Sequence, residues 1–452
     1  MSEQTDILIA NQPLSYHIRR TLHLAFPVIL SRLGIIAMSA MDVIVLGRAG
    51  STELSTYVLG QSVFDFLLVL MLGLLLGVSV LVARAIGANE DKQAGPIWYR
   101  GMVMALLYGS ILFVILQFTE EYLLVTGQES DLAARAADVT AILAMSLPMI
   151  GLFTVSAGFL EAINRPFIGT IAILIANVSN LVLNIILVFG WDAAGIPAMG
   201  AIGCSISTVL NFALLSFGLV FFIRKIYGDR AKYGILEKGF SIWRGASEQR
   251  SIGYGAGASF GLEASAFSVL VLFAGLLGEA TLAVYGILFQ FIALFFMGAL
   301  GVAVATQIRV GNAWGRNDHH GMKYAGWTGL ALSLVFTGSA AILLLSVPES
   351  MLRIFTIDQK IINAALPALF WVALSLVFDG GQVVVNHACR GRGDVWVPTI
   401  CHFGSYWLLM LPASAYFTFE MGYGVSGIFM GVVVSAIFSV AVLSLRFARL
   451  SR

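Results

Sequence analysis

Twelve apolar runs, bounded by charges and turn residues, follow one another along the chain at roughly 22–46, 57–82, 98–118, 136–159, 166–190, 200–223, 252–277, 283–308, 323–347, 362–387, 396–418 and 424–446. A helix needs about 20 apolar residues to cross the hydrocarbon of a bilayer, and it can do so because every backbone N–H and C=O is paired within it. The pattern predicts an all-α polytopic membrane protein with twelve transmembrane helices. Such spans take up roughly 250 positions, which leaves only loops and ends. Charge agrees with this: 11% of the 452 residues are charged and 59% are apolar, whereas a soluble domain carries about 25% charged residues. An ordinary soluble enzyme is excluded. The 26 Lys and Arg balance 25 Asp and Glu, and no basic stretch is interleaved with aromatics, so no nucleic acid partner is expected. The first apolar run is too long for the core of a signal peptide and reads as an uncleaved first span.

Basic residues set the orientation. Arg48, Arg135, Arg353 and Lys360 fall on one side, Arg32 falls inside the first span, and every other Lys and Arg lies on the side of the N-terminus. By the positive-inside rule both termini are cytoplasmic. The longest loop, 224–250, sits at the midpoint of the chain, and features recur on either side of it. Gly50–Tyr57 (GSTELSTY) matches Gly278–Tyr285 (GEATLAVY), Ala83–Glu90 (ARAIGANE) matches Gln307–Gly315 (QIRVGNAWG), and Gly200 with Gly203 matches Gly424 with Gly427. This is a duplication, and six spans per half make it a parallel repeat, a design that builds transporters with a central cavity between two lobes. The expected division is an N-lobe at 1–223, a cytoplasmic inter-lobe loop at 224–250 and a C-lobe at 251–452.

Ionisable groups in hydrocarbon cost at least about 2.5–3.5 kcal/mol each on insertion scales, so the few that are embedded are informative. The deep acids are Asp42, Asp65, Glu263 and Asp379, while Asp138 and Glu161 lie near span ends and read as solvated or capping. Glu263 lies thirteen residues from Arg250 and Asp379 eleven from Arg390, about 20 and 17 Å of helix from the inner side, so the two can share one site. Asp42 and Asp65 fall in the outer half of the other lobe. Ser375, Gln382 and Asn386 share the helical face of Asp379, Ser259 lies one turn before Glu263, and Asn177, Asn180 and Asn184 form a stripe on span five. Gln290 is a further polar candidate for the cavity. Carboxylates with neutral oxygens suit a hard cation or an exchangeable proton, so Na⁺ at Glu263 and Asp379 is one reading. The alternative is that these groups cross-link helices.

The remaining signals are plainer. His387 and His402, near the inner membrane edge, read as structural, and Cys204, Cys389 and Cys401 read as small core residues. Arg32 is expected to pair with an acid or snorkel inward. Pro27, Pro148, Pro367 and Pro412 interrupt spans, and Gly73 with Gly77, Gly257 with Gly261, and Gly427 with Gly431 have the spacing of close helix contacts. No GxxxxGK[ST], HExxH or GxSxG occurs, so neither ATP hydrolysis nor a catalytic constellation is expected and energy must come from an ion gradient.

Pro27–Gly50 (PVILSRLGIIAMSAMDVIVLGRAG), Arg309–Gly315 (RVGNAWG), Leu262 with Glu263, and Asp379–Asp394 (DGGQVVVNHACRGRGD) resemble the multidrug and toxic compound extrusion family in its NorM-like branch. The resemblance covers nearly the whole chain. It implies a monomeric exporter of amphipathic, often cationic small molecules in a bacterial inner membrane, alternating between outward-open and inward-open states in exchange for Na⁺ or H⁺, with no cofactor. By position it implies that Glu263 and Asp379 form the C-lobe cation site, that Asp42 is the first-span acid, and that Asn180 and Asn184 are its neighbours. Ser375 departs from the pattern, standing where related proteins carry a tyrosine, and Asp65 matches no position of it. A flippase for a lipid-linked sugar shares this architecture and ranks below export, because its pyrophosphate would want several embedded arginines and only Arg32 is read as embedded.

Overall fold

A computed structural model describes residues 12–236, 241 and 245–452. Among the described residues the chain is helical, with one isolated bridge between Trp191 and Ile196. The first half runs through α1 (Leu14–Ala49), α2 (Ser51–Leu74), α3 (Gly77–Gly87), α4 (Ala94–Leu116), α5 (Thr119–Val125), α6 (Ser130–Ala144), α7 (Leu147–Ala162), α8 (Pro166–Phe189) and α9 (Gly200–Phe221). The second runs through α10 (Ala246–Leu276), α11 (Glu279–Gly315), α12 (His319–Ser346), α13 (Pro348–Leu352), α14 (Gln359–Gly391), α15 (Trp396–His402), α16 (Leu411–Ala415) and α17 (Val425–Leu450).

The twelve expected spans can be traced, with corrections. α2 and α3 together form one long apolar span, Ser51–Gly87, and α6 and α7 meet at 40° to form another. Pro148 sits in the first turn of α7 at that bend, whereas Pro27 and Pro367 lie inside continuous helices. The eleventh span is helical but irregular, with π-helical turns at Phe403–Met410 and Tyr416–Glu420 on either side of α16 and its Pro412. Several helices overrun their expected ends, most clearly α11, which reaches Gly315, and α14, which reaches Gly391. The sequence reading stopped each of them at an arginine taken for a loop residue. Arg309 and Arg390 are instead inside the helices and 7% and 0% exposed, because each finds polar partners on neighbouring helices.

The duplication is visible in the backbone. Gly50 and Gly278 stand at the N-termini of α2 and α11 with φ of 141° and 103°, and Tyr57 and Tyr285 follow them, both buried. Only glycine enters this region without a steric penalty, so the two halves repeat the same turn for the same reason. Asn89 and Asn317 likewise carry φ of 59° and 57° at matching helix ends.

By compactness the chain divides into two units. One holds Leu30–Ile86 and Glu90–Gly257. The other holds the residues up to Ile29, Gly87–Asn89 and Ala258–Arg452. Within the first unit α4 packs on α7, α9 on α7 and α8, and α2 on α6. Gly73 and Gly257 meet here: a Cβ on Gly73 would stand 2.6 Å from the Gly257 Cα. In the second unit α14 is the central helix, packed against α11, α12 and α17. Its apolar core includes Leu288, Leu369, Val372, Met410 and Phe429.

Candidate functional site

In the first unit the embedded acid is Asp42, 3% exposed on α1. Its Oδ1 accepts a hydrogen bond from Asn184 Nδ2 at 2.6 Å, and its Oδ2 accepts one from the Tyr57 hydroxyl at 3.1 Å. Asn184 also donates to Asn180 Oδ1 at 3.2 Å. Asn180 and Asn184 lie one turn apart on α8 and are fully buried beside this carboxylate, whereas Asn177, the third member of the stripe read on span five, donates to the Ile173 carbonyl at 2.8 Å. Asn180 Nδ2 and Asn184 Oδ1 remain without partners. No ion pair neutralises Asp42 among the described residues, and its hydrogen bonds come from neutral groups.

Asp65, exposed on α2, makes no hydrogen bond or ion pair among the described residues and lies within electrostatic range of Tyr57. Arg32 and Glu161 form a separate element, an ion pair at 3.6 Å. Glu161 is 6% exposed, which corrects its reading as solvated or capping: Arg32 on α1 reaches it inside the unit. Asp138 is exposed, as read.

The second unit gathers a larger set. Asp379 lies on α14, 7% exposed, and makes no hydrogen bond or ion pair among the described residues. Glu263 on α10 is half-buried, within electrostatic range of Asp379 and of Arg390, and within hydrogen-bonding reach of the Tyr406 hydroxyl. That hydroxyl also donates to Gln382 Oε1 at 3.3 Å. His402 is the hub beneath them. Its Nε2 faces Gln382 Nε2 at 2.9 Å and Asn386 Nδ2 at 3.0 Å, and its Nδ1 faces Ser259 Oγ at 2.7 Å. Both amide nitrogens are donors, so Nε2 must accept and the ring proton sits on Nδ1, donated to Ser259. Arg390 Nη2 donates to the same Ser259 oxygen at 2.9 Å, and the guanidinium lies 4.8 Å from the centre of the Phe260 ring. Arg390 Nε and Nη1, and Asn386 Oδ1, are buried without hydrogen-bond partners among the described residues.

Of the residues singled out from the sequence, Glu263, Asp379, Gln382, Asn386 and Ser259 come together here. Ser375 is buried on the same helix, but its hydroxyl donates to the Val372 carbonyl at 2.8 Å. Gln290 is exposed and joins no cluster. Three members were missed. Arg390 was counted with the loops, His402 was read as structural, and Tyr406 gave no signal. The available hint was periodicity, since Gln382, Asn386 and Arg390 are spaced by fours on one face of α14. Among the described residues no group of three or more His, Cys, Asp and Glu could hold a metal ion.

The MatE family model matches the chain at residues 27–186 and 256–416, once in each half. The chain is 34% identical to a probable multidrug resistance protein NorM of Caulobacter vibrioides, over 97% of this chain and 93% of that protein. It is 29% identical to a probable multidrug resistance protein NorM of Mesorhizobium japonicum, over 96% and 94%. Among solved structures, a eukaryotic MATE transporter matches in fold with a TM-score of 0.89 at 18% identity, covering 98% of this chain and 99% of the other.

Proposed function

The chain belongs to the MatE family, and we propose that it is a secondary active multidrug exporter of a bacterial inner membrane, exchanging amphipathic organic cations for Na⁺ or H⁺ at Glu263 and Asp379. The observation that carries this reading is Asp379, a buried carboxylate inside an apolar helix with no hydrogen-bond or ion-pair partner among the described residues and a second carboxylate within electrostatic range. Such a group needs a proton or a cation, because an uncompensated charge there costs several kcal/mol.

Charge arithmetic supports a single monovalent ion. With both carboxyls ionised, Glu263 and Asp379 would bring two negative charges against the one positive charge of Arg390, and one cation, or one proton on a carboxyl, would balance the cluster. The Tyr406 and Gln382 oxygens and the unpartnered Asn386 Oδ1 are neutral donors of the kind a hard cation takes. A bound Na⁺ would draw on these groups, and a proton would sit on a carboxylate.

In the proposed cycle the ion loads this site while the cavity is open outward and removes the negative charge that holds a cationic drug, which then leaves. The lobes rock inward, the ion departs, and the recharged carboxylates attract the next drug. One-for-one exchange of a monovalent ion for a monovalent drug cation moves no net charge, so the concentration gradient of the ion drives it, and only ions moved in excess of the drug's charge gain about 2.3 kcal/mol per 100 mV. Asp42 is a second, separate protonation site. Both termini are cytoplasmic and the protein acts as a monomer.

The test is ethidium efflux from vesicles with Na⁺ and pH gradients imposed separately, comparing wild type with Glu263→Gln, Asp379→Asn and Asp42→Asn at matched expression. One gradient drives efflux in wild type, and the C-lobe variants lose it. Folded, inserted wild-type protein that is inactive under both gradients overturns the reading for this cation.

A further inference from the structure

At one end of the second unit, α1, α11 and α12 enclose a cavity of about 20 Å³ lined by Tyr16, His17, Arg20, Arg309, Asn312 and Arg316, among others. That is room for about one water-sized atom group. Three arginines and a histidine around so small a space are not explained by the transport reading, which does not use them.

The hydrogen bonds define what the space displays. Arg309 Nη1 donates to the His17 carbonyl at 3.0 Å and to Thr21 Oγ1, and Arg309 Nη2 faces His17 Nδ1 at 2.7 Å. A guanidinium only donates, so Nδ1 must accept and the ring proton is on Nε2. His17 is 3% exposed, stacked on Tyr324, and its Nε2 has no hydrogen-bond partner among the described residues. The cavity wall therefore carries a buried N–H donor without an acceptor. Arg309 is 7% exposed and pairs with no carboxylate among the described residues. Arg20 is likewise without an ion pair and donates to the Tyr16 hydroxyl at 3.0 Å. The nearby acid, Asp318, is already engaged by Arg316 at 3.5 Å and by the Gly321 N–H at 2.6 Å. Positive charge is in excess, and a donor is unsatisfied.

We propose that this cavity is an anion site that takes one oxygen of a phosphate group, with Arg309 and the His17 N–H behind it and Arg20 and Arg316 at the rim holding the remaining oxygens. Guanidinium forks match phosphate geometry. Basic pockets between membrane helices on the cytoplasmic side are suited to anionic headgroups, so the phosphate belongs to an anionic phospholipid or is free in solution. The proposal rests on the cytoplasmic placement of the N-terminus proposed above and not on the transport cycle.

The test uses the full-length purified protein in phosphatidylcholine nanodiscs. Its thermal midpoint is followed while phosphatidylglycerol, inorganic phosphate or chloride is added, for wild type, Arg20→Gln, and Arg20→Gln with Arg316→Gln. Both rim arginines are partly exposed, and because Arg316 also pairs with Asp318, Arg20→Gln alone serves if the double variant fails to fold. Wild type is stabilised by phosphatidylglycerol or by phosphate, and apparent affinity falls about fivefold on losing one arginine and about thirtyfold on losing two. Stabilisation by phosphatidylglycerol alone identifies a headgroup, and stabilisation by inorganic phosphate identifies the free anion. No stabilisation by either, a response unchanged in the variants, or an equal response to chloride overturns the proposal.

Discussion

Asp379 and Asp42 show how two embedded carboxylates can be set different tasks by their neighbours. Asp42 receives hydrogen bonds from Asn184 and Tyr57, while Asp379 receives none among the described residues. Asp379→Asn removes a charge without removing a bond, so the protein should fold with a thermal midpoint at or above wild type and lose ion-coupled efflux; a large drop in midpoint would make Asp379 a structural residue. Asp42→Asn is different. The new amide points N–H groups at a donor, and the lost charge-assisted bonds cost about 1.5–3 kcal/mol, to be read as a lower midpoint. The acids themselves were legible in the sequence because a carboxylate in an apolar run is rare. Arg390, His402 and the Arg32–Glu161 pair were not, since whether a charge near a span end faces water or a partner depends on which helix packs beside it. That information lies in Ser259, Phe260 and Glu161, far away along the chain.

The helices were legible as elements, because a run of twenty apolar residues admits few other structures in a bilayer. Their ends were not, since α11 and α14 continue past buried arginines that look terminal in one dimension. Glycine spacing was informative where two helices touch. A side chain at Gly73 has no room against Gly257, so Gly73→Ala should cost about 1–3 kcal/mol. Gly218→Ala, with nothing within 4 Å, should leave the thermal midpoint unchanged. Equal effects at the two positions would contradict the packing described for the first unit. Gly50→Ala and Gly278→Ala make a matched pair: each forces a side chain into positive-φ extended backbone that is essentially glycine-only and should cost about 1–3 kcal/mol, and a penalty in only one half would argue that the turns have diverged.

Across the whole molecule the duplicated halves keep the same turns and carry different chemistry. One unit holds an acid bonded by an amide and a phenol apart from the Arg32–Glu161 pair, and the other gathers two acids, an arginine and a histidine hub. Purified protein should therefore lose Na⁺-dependent stabilisation in Asp379→Asn and retain it in Asp42→Asn. Loss in both would join the two clusters into one titrating system. The central claim is exchange, and counterflow tests it most directly. In proteoliposomes with no imposed ion gradient, an ethidium gradient alone should drive Na⁺ or H⁺ in the opposite direction in wild type and not in Asp379→Asn. Ethidium movement with no ion counterflow, or counterflow that persists in Asp379→Asn, would contradict the account.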